Sequence, residues 1–208
     1  QGRDGAGRDG DAGLRSVGDA GAGRVRSGFV RDGEGGIIWY CLAFEVGLLE
    51  SMATQLVELV DAPAWSDDPL ERWANERDSA PLDRDDPALA RLFPEASSNP
   101  DEASEFRRLM EAELRTQKAS DAAIVLAALA PAEGVADPEV AIPVSEQDAW
   151  LRTLNAMRLV LGARLGIDDD KDAELVDDLD PEDERAPVAD VYHWVGYVQS
   201  LLLDAITG

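Results

Sequence analysis

The chain has 208 residues, of which 43 are acidic and 19 are basic, so its formal net charge at pH 7 is −24. Direct binding to nucleic acid or to an anionic membrane surface is not expected, because both require clustered Lys and Arg side chains. The favoured interpretation of the acidic excess is a surface that keeps the protein soluble. The alternative is an acidic face that meets a basic partner or mimics nucleic acid.

Residues 1–36 differ in composition from the rest of the chain. They hold 12 glycines and equal numbers of arginines and acids, so the whole charge excess belongs to residues 37–208. Such a segment cannot bury enough apolar surface to offset the entropy that it would lose on ordering. We predict a disordered leader over 1–36 and a single helical domain over 37–208. Deletion of residues 1–35 is then expected to leave the thermal midpoint nearly unchanged.

Apolar periodicity and turn residues divide the remaining chain into helices and short strands. In chain order the predicted elements are a strand over 35–43, helices over 44–60, 86–93 and 99–130, a strand over 139–144, and helices over 149–167 and 190–206. The predicted fold is mainly α, with four to five helices in a bundle-like domain and a small two-stranded antiparallel β-ribbon. The last helix is expected at the centre of the core, because it is apolar around more than half of its circumference.

Local signals mark several ends of these elements. Asp86 and Asn99 are each followed by proline, which is typical of a helix N-cap and its first residue. Ser145 and Asp148 predict a capping box. Pro143 places the second strand at a sheet edge, because proline cannot donate to a ladder.

Two acidic segments, 61–86 and 168–190, are interpreted as irregular loops. The second contains DDDKDAELVDDL (168–179), which resembles a calcium loop at its first acids. Ala173 stands where that loop needs glycine, and Leu179 stands where it needs a bidentate Glu. A solvated loop is therefore the better interpretation.

No residue pattern in the sequence indicates catalysis, a metal site or a cofactor. His193 is the single histidine, and it is expected to face solvent from the last helix because no zinc-ligand or Ser–His spacing surrounds it. Abundant carboxylates alone do not indicate acid–base chemistry. We therefore expect a protein that is not an enzyme.

Cys41 is the single cysteine, so an intrachain disulfide is impossible and a reducing compartment is favoured. The segment 1–36 lacks the apolar stretch of a signal peptide, and no apolar run is long enough to span a membrane. A cytoplasmic location is expected. Cys41 is interpreted as a buried small apolar residue, and the alternative is a redox-active thiol, which would need exposure and a lowered pKa.

Several segments resemble a family of actinobacterial proteins named for the oxidative stress regulator AosR. They are FEVGLLESMATQLVELV, DPALARLFPEA, EFRRLMEAELRTQKASDAA, AWLRTLNAMRLVLGARLGI and VYHWVGYVQSLL, which together extend over about 37–206. The fourth and fifth segments contain the most specific motifs. The resemblance implies a cytoplasmic, non-enzymatic regulator that acts with the transcription machinery, through a sigma factor or RNA polymerase.

The resemblance also implies gene proximity to the Clp adaptor ClpS. An accessory or adaptor role in Clp-dependent proteolysis is therefore the alternative hypothesis. Redox sensing in the family invokes paired cysteines, whereas this chain has Cys41 alone. Its charge favours action through a protein partner over contact with DNA.

One arginine interrupts an apolar helix face. On a helical projection of 149–167, Arg158 falls among the leucines of the core-facing side. A buried arginine needs a carboxylate, and Glu45 lies on the apolar face of the helix 44–60. We predict a buried Glu45–Arg158 ion pair, with Glu113 and Asp121 as second choices. The alternatives are a first-turn acid for Glu45 and a side chain that reaches solvent for Arg158.

Overall fold

The computed structural model describes residues 27–64, 66–78, 80–95, 97 and 99–208. The elements are β1 (Gly28–Arg31), β2 (Ile37–Tyr40), α1 (Ala43–Val60), α2 (Pro69–Asp78), α3 (Pro87–Leu92), α4 (Pro100–Leu129), β3 (Glu139–Ile142), α5 (Gln147–Leu165), α6 (Asp170–Asp177) and α7 (Ala186–Thr207). Short 3₁₀ turns lie at Ala130–Ala132 and Val144–Glu146. The prediction of a mainly helical fold with a small antiparallel sheet is confirmed.

The sheet has three strands, not the predicted two. Its order is β1–β2–β3, and both pairs are antiparallel. Strand β1 lies inside the predicted leader, so the leader boundary at residue 36 is wrong and the folded domain begins before residue 37. Residues 1–26, where the rest of the predicted leader falls, are outside the described residues. Strand β3 is an edge strand, as Pro143 predicts.

Helix α5 is the centre of the helical layer, and the prediction that α7 holds this place is wrong. Helix α5 packs against α1, α3, α4 and α7, whereas α7 packs against α5, β1 and α6. The buried side chains of α5 are spread over more than one side of the helix, as a central helix requires.

Aromatic side chains join the sheet to α5. The rings of Phe29 and Trp39 stack with centroids 5.7 Å apart, and Trp150 meets Trp39 edge-on at 6.1 Å. Trp39 and Trp150 are fully buried. Such aromatic pairs contribute stability beyond the apolar area that they bury. Strand β1 therefore contributes Phe29 to the core that the helices form.

Helix starts follow the sequence signals in two cases and depart from them in a third. Asp86 accepts a hydrogen bond from the amide of Ala88, and Asn99 accepts one from the amide of Asp101. The predicted capping box at Ser145 does not form. The 3₁₀ turn Val144–Glu146 continues directly into α5, and no side chain caps that helix.

Both acidic segments contain a helix that the sequence analysis interpreted as loop. Helix α2 lies in the first segment and α6 in the second. The α6 start is a capping box in which Asp169 accepts from the amide of Asp172, and Asp172 accepts from the amide of Asp169. Carboxylates satisfy the free amides and favour the positive end of the helix dipole.

Four helices end at an arginine that comes from another part of the chain. Arg31, Arg84, Arg91 and Arg115 donate to backbone carbonyls at or just beyond the ends of α7, α3, α5 and α1, respectively. The last carbonyls of a helix have no partner within it, and a cation there also offsets the helix dipole. The last turns of α1 and α7 contain no basic residue of their own. The contacts of Arg31, Arg91 and Arg115 are long-range in sequence, so they help to define the tertiary fold.

Candidate interaction surface

The two faces of the sheet differ in exposure. The strand register aligns Phe29 with Trp39, and Trp39 with Val140. Trp39 and Val140 are fully buried, so this row faces the helices. Because successive side chains of a strand point to opposite faces, the next row faces away from the helices.

That outward row is also apolar. Val30 pairs with Ile38, and Ile38 pairs with Ala141. Tyr40 and Leu42 continue the same side at two-residue spacing, since Leu42 keeps an extended backbone before α1 begins. Val30 is 53% exposed and Leu42 is 37% exposed. We call this set the outer sheet face; its residues are Val30, Ile38, Tyr40, Leu42 and Ala141.

Acidic residues outnumber basic ones on the segments that form the sheet and its connections. The strands and their flanking segments, 27–43 and 133–148, contain one base against seven acids, a local net charge of −6. The base is Arg31, and the acids are Asp32, Glu34, Glu133, Asp137, Glu139, Glu146 and Asp148. Glu139 is exposed and lies opposite Tyr40 in the register. An apolar centre with a polar rim is the usual anatomy of a protein-binding surface.

Cys41 lies on the opposite side of the same extended segment and is fully buried. Its thiol donates to the carbonyl of Pro138 at 3.6 Å. Burial, reinforced by the charge of Glu45, raises the pKa of this thiol to about 12. A thiol with so little thiolate is a poor nucleophile. This environment favours the interpretation of Cys41 as a packing residue over a redox-active thiol.

Glu45 is buried but does not pair with Arg158. Its Oε2 accepts from the amide of Leu42 at 2.8 Å, and its Oε1 accepts from the indole of Trp194 at 3.2 Å. The predicted ion pair is therefore wrong. Glu45 is a first-turn acid that satisfies an amide at the start of α1, and it joins α1 to α7.

Arg158 lies between α5 and α7. It donates to Gln199 Oε1 at 3.1 Å, and its guanidinium lies 5.5 Å from the centroid of the Tyr192 ring. Its side chain is half-buried, and its Nε is buried without a hydrogen-bond partner among the described residues. Gly196 permits this position, because a Cβ there would lie 3.3 Å from Arg158 Nε.

The deeply buried arginine of the described chain is Arg115, which the sequence analysis did not single out. Only 2% of its surface is exposed. It donates to the carbonyls of Val60 at 2.7 Å, Ala80 at 2.8 Å and Asp61. Arg115 lies two helical turns before Ala122 on the same face of α4, and only the structure shows that this face is buried.

Asp121 is buried and forms an ion pair, but its partner is Arg152, whose side chain is 53% exposed. Arg152 donates from Nε and Nη2 to the two carboxylate oxygens, each at 2.8 Å. Gln117 donates to the same carboxylate at 3.0 Å. Asp121 was a second choice for Arg158, and that choice is also wrong. The pair joins α4 to α5, and the hydrogen bonds and charge of Asp121 raise the pKa of Arg152.

His193 is exposed on α7, as predicted, and its Nε2 lies 2.7 Å from Asp177 Oδ1 of α6.

Within the described ranges, no group of three or more His, Cys, Asp or Glu residues could hold a metal ion. The segment 168–179, which was interpreted as a solvated loop, contains α6, and two of its acids, Asp169 and Asp172, cap that helix. Among the described helices, none is long and apolar enough to cross a membrane.

Residues 26–206 match the family model described as Domain of unknown function (DUF2017). The chain belongs to this family. The match begins before β1 and ends one residue before the end of α7, so the family domain includes the described strands and helices up to that residue. No curated protein and no solved structure matches the chain.

Proposed function

We propose that the chain is a non-enzymatic regulator of transcription under oxidative stress, which acts in the cytoplasm by binding a sigma factor or RNA polymerase. The proposed contact surface is the outer sheet face. No direct contact with nucleic acid is part of the proposal, because the net charge of −24 opposes it.

The observation that carries the proposal is an apolar, exposed sheet face on a strongly acidic chain. Single exposed apolar side chains are common on any protein, but a contiguous apolar set is typical of a binding surface. Val30, Ile38 and Ala141 lie side by side across three strands, and Phe44, 64% exposed, follows Leu42 at the start of α1. Binding of a protein partner accounts for this surface.

The resemblance to the AosR family supports the choice of transcription. The two segments that carry its most specific motifs, 149–167 and 191–202, lie on α5 and α7, which pack together. A disulfide between paired cysteines has no counterpart in this chain. Any response to peroxide is then expected through the partner, because Cys41 is buried and its pKa is raised.

Affinity capture from lysate of an actinobacterial host tests the proposal. The full chain, carrying an affinity tag at its C-terminus, is expected to recover RNA polymerase or a sigma factor, and mass spectrometry would identify them. Recovery of Clp subunits without the transcription proteins would overturn the proposal in favour of the proteolysis hypothesis. An unrelated protein of similar negative charge is the control for capture by charge alone.

A further inference from the structure

We propose that the outer sheet face receives a polypeptide segment in which apolar side chains are flanked by Lys or Arg. This inference rests on the proposed function, because it names the chemistry of the partner at the same surface. The partner's apolar side chains lie against Val30, Ile38 and Tyr40. Its cations meet the carboxylates around them.

The spacing of the apolar side chains defines what can bind. Ile38, Tyr40 and Leu42 follow one another at two-residue intervals, about 7 Å apart along the strand. Val30 and Ala141 flank Ile38 on the neighbouring strands, about 5 Å away on either side. The result is a flat apolar area rather than a deep pocket. A segment with several apolar side chains on one face covers such an area, whereas a small molecule would stay mostly in water.

Local charge selects a basic partner. Seven acids and one base lie on the segments that form the sheet and its connections. The base, Arg31, donates from Nε and Nη2 to the carbonyls of Ala205 and Ile206 at the end of α7, so it is held at that helix end. Glu139 projects from β3 beside Tyr40 on the exposed face. Complementary cations would speed association and favour basic partners over acidic ones.

The same charge argues against a second copy of this chain as the occupant. In a symmetric dimer the same patch meets itself, so the two sets of carboxylates would face each other. Each chain would also bring its net charge of −24. Like charges juxtaposed at an interface oppose binding.

A fluorescent peptide provides a direct test. The probe is a short labelled peptide in which leucine and lysine alternate, and the comparison peptide has glutamate in place of lysine. The full chain is expected to bind the lysine peptide, with an affinity that falls as salt is added, and not to bind the glutamate peptide. Equal binding of the two peptides, or binding to neither, would overturn the proposal.

Substitutions locate the contact. The paired variant Val30→Thr with Ile38→Thr keeps β-branched residues in the strands and is expected to weaken binding about tenfold or more. Glu139→Gln is expected to weaken binding and reduce its salt dependence. Leu175→Ser and Glu174→Gln are the controls, since both residues are exposed on α6, which packs on α7. Unchanged binding in the paired variant would assign the peptide to another surface.

Two further measurements keep the outcomes separate. Circular dichroism and the thermal midpoint show that each variant is folded. Light scattering of the parent and the paired variant tests self-association; a parent dimer that the variant lacks would assign the face to a second copy and overturn the proposal.

Capture with the paired variant distinguishes this inference from the proposed function. If the variant still recovers RNA polymerase or a sigma factor, the surface assignment fails and the function stands. If the parent binds the lysine peptide at this face but recovers no transcription protein, the proposed function fails and the surface assignment stands.

Discussion

Trp194 donates its indole N–H to Glu45, with 3.2 Å between Nε1 and Oε1, and thereby joins the middle of α7 to the first turn of α1. Glu45 is only 5% exposed, so both of its carboxylate oxygens need partners from the protein. The second oxygen accepts from the amide of Leu42. One buried carboxylate thus serves the start of one helix and the side of another.

The first prediction concerns this contact. Trp194→Phe is expected to lower the free energy of unfolding by about 1–3 kcal/mol, because a buried carboxylate oxygen loses its donor. A urea-unfolding cycle of Trp194→Phe with Glu45→Gln should show coupling between the two sites. The matched cycle of Glu45→Gln with Arg158→Met should be additive, since the two residues do not pair. Coupling in the second cycle but not in the first would contradict the structure.

Arg115 provides the second prediction. Arg115→Met is expected to lower the free energy of unfolding by about 3 kcal/mol or more, because the carbonyls of Val60, Asp61 and Ala80 lose a charged donor in a buried site. Chemical denaturation measures the change. Arg185→Met is the control, because Arg185 lies at the surface and pairs with Asp183, its near neighbour in sequence. An equal loss in the two variants would argue against the buried role of Arg115.

Cys41 makes stability depend on pH in the alkaline range. Its pKa is raised from an ordinary value of 9.0 to about 12 in the folded chain. Above pH 9 the unfolded chain releases the thiol proton while the folded chain keeps it, so the contribution is fully present below pH 9 and is lost as pH rises toward 12. The difference in unfolding free energy between the parent and Cys41→Ala is therefore expected to shrink over this window. A difference that stays constant with pH would show that the thiol titrates normally.

The same burial predicts slow thiol chemistry. Reaction of the native parent with a thiol-specific reagent at neutral pH should be slow and should speed up sharply in denaturant. Rapid modification of the native chain would contradict the packing role of Cys41.

The fourth prediction replaces the expectation for the leader. Deletion of residues 1–35 removes β1, and with it the stacking of Phe29 on Trp39 and the donors of Arg31 at the end of α7. The thermal midpoint is expected to fall by several degrees. Phe29→Ser and Arg31→Met, made singly in the full-length chain, should each reproduce part of the fall. A midpoint unchanged by all three changes would show that β1 adds nothing to the fold.

Much of the helical framework could be predicted from the sequence. The spans of α1, α3, α4 and α7 follow from apolar periodicity and from capping residues such as Asp86 and Asn99, which act within a single turn. Strand β2 has apolar residues on both faces. This pattern identified it as a strand but did not indicate which of its faces is exposed. Strand β1 was missed because its glycine-rich surroundings resemble a linker, and its pairing with β2 depends on contacts outside the segment.

The outer sheet face could not be predicted from the sequence either, because it also depends on strand pairing. Val30 joins Ile38 and Ala141 through strand pairing, and Ala141 is about a hundred residues distant in the chain. Apolar periodicity can indicate that two side chains lie on the same face of one strand. It cannot say which strands are neighbours.

The sequence by itself determined the fold class, the strongly acidic character and most helix boundaries, because composition and local periodicity act over a few residues. Only the tertiary structure decided which charged groups meet. Helical projection placed Arg158 and Glu45 on apolar faces, but packing brought Trp194 to Glu45, Gln199 to Arg158 and Arg152 to Asp121. A buried polar group must find some partner to offset the loss of water. Its partner depends on which helices pack together and at what register, and that is a property of the whole fold.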